Sequence, residues 1–103
     1  MTLIENTYMQ LKDAGLIATR EEFSRTFVGK NPNWFAYQTH VGRDFSVDAA
    51  ISCLLKIRSK LNEANGLRAR QVKALVRSEA QLMQRLNEQY HITDVCLLIA
   101  AEK

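Results

Sequence analysis

The sequence is poor in the residues that make turns and covalent staples. Its 103 residues include two cysteines, one proline and four glycines. Two cysteines do not make the disulfide framework on which small secreted domains depend. Cys53 and Cys96 both stand in apolar stretches, AAISCLLKI and DVCLLIAA, and read as buried thiols in a reducing compartment. The scarcity of glycine and proline argues against collagen-like and linker-like chains, and against a turn-rich β-sandwich. No apolar run approaches the roughly 20 residues of a membrane-spanning helix, so no membrane partner is expected. The first residues, MTLIENTYMQLKD, lack the basic flank, apolar block and small-residue cleavage site of a signal peptide, so a cytoplasmic location is expected.

Chemistry-bearing motifs are also missing. There is no Cys-x-x-Cys or His-x-x-x-His spacing, no phosphate loop and no glycine-rich dinucleotide fingerprint. No metal, cofactor or small-molecule ligand is therefore expected. His40 and His91 are far apart and lack a supporting motif, and neither cysteine has polar neighbours that would lower its pKa. The expectation is a protein that binds rather than catalyses.

What is present is an ordinary apolar fraction, 47%, at a length that fits one domain spanning 1–103. Charge is unevenly spread. Residues 1–45 carry five basic and five acidic side chains. Residues 46–78 carry seven basic and two acidic, a net of +5, and residues 79–103 are net −2. A basic middle points to a polyanionic partner, nucleic acid first; a solvated helix face is the alternative.

Apolar periodicity predicts an all-α fold of five to six helices. Thr2 with Glu5 and Thr19 with Glu22 form capping boxes at the starts of helices over about 3–14 and 20–27. Gly29 supplies a tight turn. Asn31-Pro32 reads as a cap followed by a first helical residue, predicting a third helix over 32–40. Ser46 caps a wide apolar stripe over 47–63, and a long amphipathic helix follows from 67 to about 90. Thr93 can cap a final helix from Asp94 to about Ala101, although Ile92 to Ile99 also fits a strand. The core helices thus occupy about 3–63 and a C-terminal extension about 67–101.

The span 19–61 reads as a capped helix, a glycine turn, a short helix, a loop and a longer capped helix. Thr19-Arg20-Glu21-Glu22-Phe23-Ser24, then Asn31 to Gln38, then Ser46-Val47-Asp48-Ala49-Ala50-Ile51 with Leu54-Leu55 carry a resemblance. They resemble the helix-turn-helix of the λ-repressor-like (Cro/C1, XRE-type) superfamily. In that pattern the first helix presents a small residue, here Ser24, where the second crosses it. The second points large side chains inward, for which Trp34 and Tyr37 are suited. The chain departs from the pattern in the position of Gly29, one residue late, in the aromatic load of its third helix, and in the absence of Lys or Arg there.

The resemblance implies a transcriptional regulator that binds double-stranded DNA, with the third helix in the major groove. Base-facing candidates are Asn31, Asn33, Phe35, Gln38 and Thr39. The family's groove-facing positions map onto Lys30, Asn31, Pro32, Phe35, Ala36 and Thr39, whereas a shift of one residue turns Asn33 and Gln38 outward. Phosphate candidates are Lys30, Arg43, Lys56, Arg68, Arg70, Lys73 and Arg77. Repressor-like proteins commonly pair as two-fold dimers, and the apolar surplus beyond residue 67 offers an interface. Its candidates are Val72, Val76, Leu82, Leu86, Leu97 and Leu98. Two alternatives remain: a C-terminal segment folded back over the other helices, and a protein-binding module that keeps the fold without binding DNA.

Overall fold

A computed structural model describes residues 2–63 and 66–90, and these form an all-α fold. Helix α1 is Leu3–Asp13, capped by the Thr2 hydroxyl, which accepts from the Glu5 amide at 3.2 Å. Helix α2 opens as one α-helical turn, Arg20–Glu22, and continues without a break as a π-helix, Phe23–Val28. Helices α3 (Trp34–His40), α4 (Val47–Glu63) and α5 (Ala69–Tyr90) complete it. The expected final helix or strand, with Cys96, Leu97 and Leu98, lies outside the described residues.

The second capping box forms with a small change of partner. Thr19 Oγ1 accepts from the Glu22 amide at 3.1 Å, and Glu22 Oε1 accepts from the Ala18 amide at 2.8 Å. The switch to i→i+5 bonding follows at Ser24, whose hydroxyl donates to the Arg20 carbonyl at 3.0 Å. The π segment ends at Gly29, with φ at 74°, where the Lys30 amide reaches back to the Ser24 carbonyl.

Helix α3 begins at Trp34, not at the expected Pro32. Asn31 Oδ1 accepts from the Asn33 amide at 2.8 Å, and the Asn31 carbonyl accepts from the Trp34 amide. The asparagine thus folds a turn of its own before the helix. Helix α5 likewise starts at Ala69, two residues later than expected. Gln71 Oε1 takes the Arg68 amide at 3.0 Å, so the reaching-back half of a capping box sets that end.

The core is built around α4. Ala49, Ala50, Cys53, Leu54 and Ile57 are buried on it, and its largest helix contact is with α5. The small residues Ala49, Ala50 and Cys53 allow neighbouring helices to approach. An aromatic cluster joins α1, α2 and α3. Tyr8 meets Phe35 at 5.0 Å between centroids and Phe23 at 5.9 Å, both edge-to-face. Phe23 meets Phe35 at 6.0 Å. Such pairs add about 0.5–1.5 kcal/mol each beyond the area they bury. Burial pushes the Cys53 thiol up to about 12, so it remains protonated and inert.

Candidate functional site

The crossing of α2 and α3 sets what the third helix can present. Ser24 is fully buried there, and its hydroxyl accepts from the Phe35 amide at 3.1 Å. A larger side chain at 24 would push the helices apart and leave that amide unpaired. The contact turns Phe35 and Gln38 inward. Phe35 is 2% exposed, within the aromatic cluster, and the Arg20 guanidinium lies 5.4 Å from its ring centroid. Gln38 is 8% exposed, and its Nε2 donates to the Asp44 carbonyl at 3.0 Å.

These positions correct the sequence reading. Phe35 and Gln38 do not face outward and do not reach a base edge. Of Trp34 and Tyr37, both foreseen as inward, Trp34 packs against the core and Tyr37 turns outward. Trp34 is half-buried and packs its ring against Phe45 at 5.8 Å, while Tyr37 is 56% exposed. The cause is a phase of one residue. Starting the helix at Trp34, with Ser24 holding the Phe35 amide, puts 35 and 38 on the inner face and 36, 37, 39 and 40 outside.

The outer surface of the turn and α3 therefore consists of Asn31, Pro32, Asn33, Ala36, Tyr37, Thr39, His40 and Val41, all exposed. Of the base-facing candidates, Asn31, Asn33 and Thr39 remain available. Arg43 is exposed just after the helix. Lys30 stands before it, but its ammonium donates to Asp48 Oδ2 at 2.7 Å. The Lys30 and Ser46 hydrogen bonds together hold the Asp48 carboxyl down to about 2, so it is ionised throughout the ordinary pH range.

Sequence reasoning passed over Asp44. Its carboxylate ties three parts of the chain together. Oδ2 accepts from the Leu3 amide at 2.9 Å and from Arg85 Nη1 at 3.1 Å. Oδ1 accepts from the Ile4 amide at 3.0 Å and its neighbour Phe45's amide at 2.8 Å. It thus receives the free amides of the α1 N-terminus and fixes the loop that follows α3. Burial works to raise the Asp44 pKa, but the amides of Leu3, Phe45 and Ile4 and the Arg85 guanidinium outweigh it, leaving the carboxyl below its usual value. No local signal marks this residue, because its main partners are about forty positions away in sequence.

The basic segment does not form one surface with α3. Lys56 lines a groove with Thr26, Gly29, Lys30 and Ser52, between the end of α2 and α4. Arg70, Lys73 and Arg77 line a different cleft, against the end of α1. Arg68 is exposed at the start of α5. The expected dimer face also divides. Leu82 and Leu86 are 0% exposed, buried in the chain's own core with Leu75, so they cannot form a contact with a second copy. The apolar surplus of α5 is taken up by α4 and α1. Val72 and Val76 stay exposed.

Among the described residues, no three His, Cys, Asp or Glu side chains come together as a metal site. No described helix is long and apolar enough to cross a membrane. The architecture is that of a small all-helical protein with a tightly crossed helix pair and an exposed polar turn. Residues 4–95 match the family of unknown function DUF6626, and the chain belongs to that family. No curated protein and no solved structure matches the chain.

Proposed function

We propose that this protein is a non-enzymatic helix-turn-helix DNA-binding protein acting in the cytoplasm, with α3 as its reading helix. The observation that carries this is the α2–α3 crossing. A buried serine, hydrogen-bonded to the amide of Phe35, holds the second helix against the first. That contact leaves a short outer face rich in amides and hydroxyls. Asn33 is the group for bidentate contact with adenine, Asn31 (its Oδ1 held by the Asn33 amide) and Thr39 for single hydrogen bonds, and Ala36 for a thymine methyl. Each well-placed bidentate pair discriminates between bases by about 1–3 kcal/mol. Arg43, exposed just after α3, supplies a phosphate contact. Lys30 contributes less while Asp48 holds it. A two-fold dimer accompanies this reading, and Val72 and Val76 are the exposed residues through which it would form.

Selection from a random duplex pool across a salt series tests the proposal. The expected result is an enriched motif that is lost in Asn33→Ala and Thr39→Ala. Retention without enrichment at any salt concentration would sink it. One observation favours a second reading: Tyr37 of α3 and Val41 at its C-cap, four residues apart, leave an aromatic and an aliphatic side chain exposed. A protein partner docking there would bind the wild type but not Tyr37→Ala, with no DNA motif found.

A further inference from the structure

One cluster of charge forms no ion pair among the described residues. Arg70, Lys73 and Arg77 stand at i, i+3 and i+7 on one flank of α5. With Gln10 and Asp13 of α1 they line a cleft of about 290 Å³. All three cations are exposed. The ion pairs among the described residues are Lys30–Asp48, Arg58–Glu79 and Arg85–Asp44, and the three take part in none of them. Asp13 is the one carboxylate lining the cleft. Like charges three and four residues apart on a helix repel. The first turn of α5 has no acidic residue, so the positive end of its dipole adds to the repulsion.

The floor of the cleft is built rather than loose. Gln10 Oε1 accepts from the Ser78 hydroxyl at 2.9 Å, and its Nε2 donates to Gln81 Oε1 at 2.9 Å. These bonds fix α1 against α5 and hold the cationic flank open. From 70 to 77 the helix advances about 10.5 Å. A nucleic-acid strand places a phosphate about every 3.4 Å along the duplex axis, so the advance covers about three phosphate steps and the three cations lie along a run of about four phosphates. A bilayer is a poorer match. The main apolar stripe of α5 is turned into the core, and Val72 and Val76 alone offer little area for insertion.

We propose that the α1–α5 cleft is a second, sequence-independent binding site for the phosphate backbone of nucleic acid, separate from α3. Helix α1 turns Tyr8 toward Phe35 of α3 and Gln10 toward α5, so the two surfaces lie on different flanks of α1. The inference does not depend on α3 reading bases.

The test is anisotropy titration of the full chain with a labelled random-sequence duplex of roughly 20 base pairs, between about 50 and 200 mM salt. Three phosphate contacts contribute a slope of about −2.7, or an affinity loss of about 40-fold over that range. The triple variant Arg70→Ala, Lys73→Ala, Arg77→Ala should lose that component while its helicity by circular dichroism is unchanged. The charge-keeping pair Arg70→Lys, Arg77→Lys should retain it and covers the case in which the triple variant does not fold. Removing Lys12 and Lys60 instead should leave most of the slope. An equal loss there would mean bulk charge and would overturn the site. No duplex binding by the wild type would also overturn it, as would a triple variant that loses only binding to phosphatidylserine vesicles. If selection finds no motif but the triple variant still flattens the slope, the α3 reading fails and this site stands.

Discussion

Asp44→Ala should cost this fold more than any other single exposed or half-exposed charge removal. The carboxylate is about three-quarters shielded, with side-chain exposure of 24%, and receives four hydrogen bonds. Two come from the amides of Leu3 and Ile4, which have no partner inside α1. Losing such a cap costs about 1–2 kcal/mol. The Arg85 pair is partly solvated and adds about 0.5–1 kcal/mol. The Phe45 amide, left in a half-buried loop, adds about 1 kcal/mol. The total is about 3 kcal/mol, a large share of the roughly 5–15 kcal/mol available to a domain. At about 4–8 °C per kcal/mol this lowers Tm by roughly 12–24 °C. Urea unfolding followed by circular dichroism measures it directly. Asp48→Ala is the comparison: its contact to Lys30 is shorter, 2.7 Å, but the Asp48 side chain is 68% exposed. A loss of under about 1 kcal/mol at Asp44, or a larger loss at Asp48, would refute the reasoning. The pH dependence has a definite sign. The folded-state pKa of Asp44 is depressed below 3.8, so its contribution is complete above that value and is lost as pH falls through the folded pKa. Asp44→Asn should therefore flatten acid destabilisation below about pH 4.

Four other perturbations follow from particular contacts. Leu86→Asp should unfold the chain at every concentration, by more than about 4 kcal/mol, because Leu86 is fully buried; a folded monomer would mean that it lies at a dimer interface instead. Thr7→Val should stabilise by about 1 kcal/mol, since the Thr7 hydroxyl is buried without a partner among the described residues; a destabilised variant would reveal one. Gly29→Ala should cost about 1–2 kcal/mol from φ alone, as an added Cβ meets nothing within 4 Å, and Gly29→Asn should recover part of that. In a Cys96→Ser background, Cys53 should react with a thiol reagent only on unfolding; rapid labelling of the native chain would contradict its burial.

The two candidate surfaces differ in what holds them in place. The α3 surface depends on one buried hydroxyl, on the π-helical end of α2 and on the Asp44 clamp behind it. Perturbing Ser24 or Asp44 should therefore change α3 indirectly. The α1–α5 cleft depends on Gln10 between Ser78 and Gln81. This separation allows the two surfaces to be tested one at a time.

Local chemistry along the chain determined which segments are helices. Thr2, Thr19 and Gly29 act where a capping hydroxyl or a left-handed turn is needed, because those signals involve neighbours two to five residues apart. The apolar stripe of 47–63 likewise identified the central helix, since periodicity is a local property. Facing was decided by tertiary contacts. Phe35, Gln38, Trp34 and Tyr37 are all suited to either side of a short helix, and the Ser24 hydroxyl selected the phase by binding one amide. Leu82 and Leu86 looked the same as interface or core until α4 and α1 were packed against them. Asp44 gained its role from amides and a guanidinium some forty residues distant. Arg70, Lys73 and Arg77 were visible as a basic stripe from their spacing. Only packing against α1 placed them in a cleft away from α3, because separations in space between helices are not encoded in spacing along one of them.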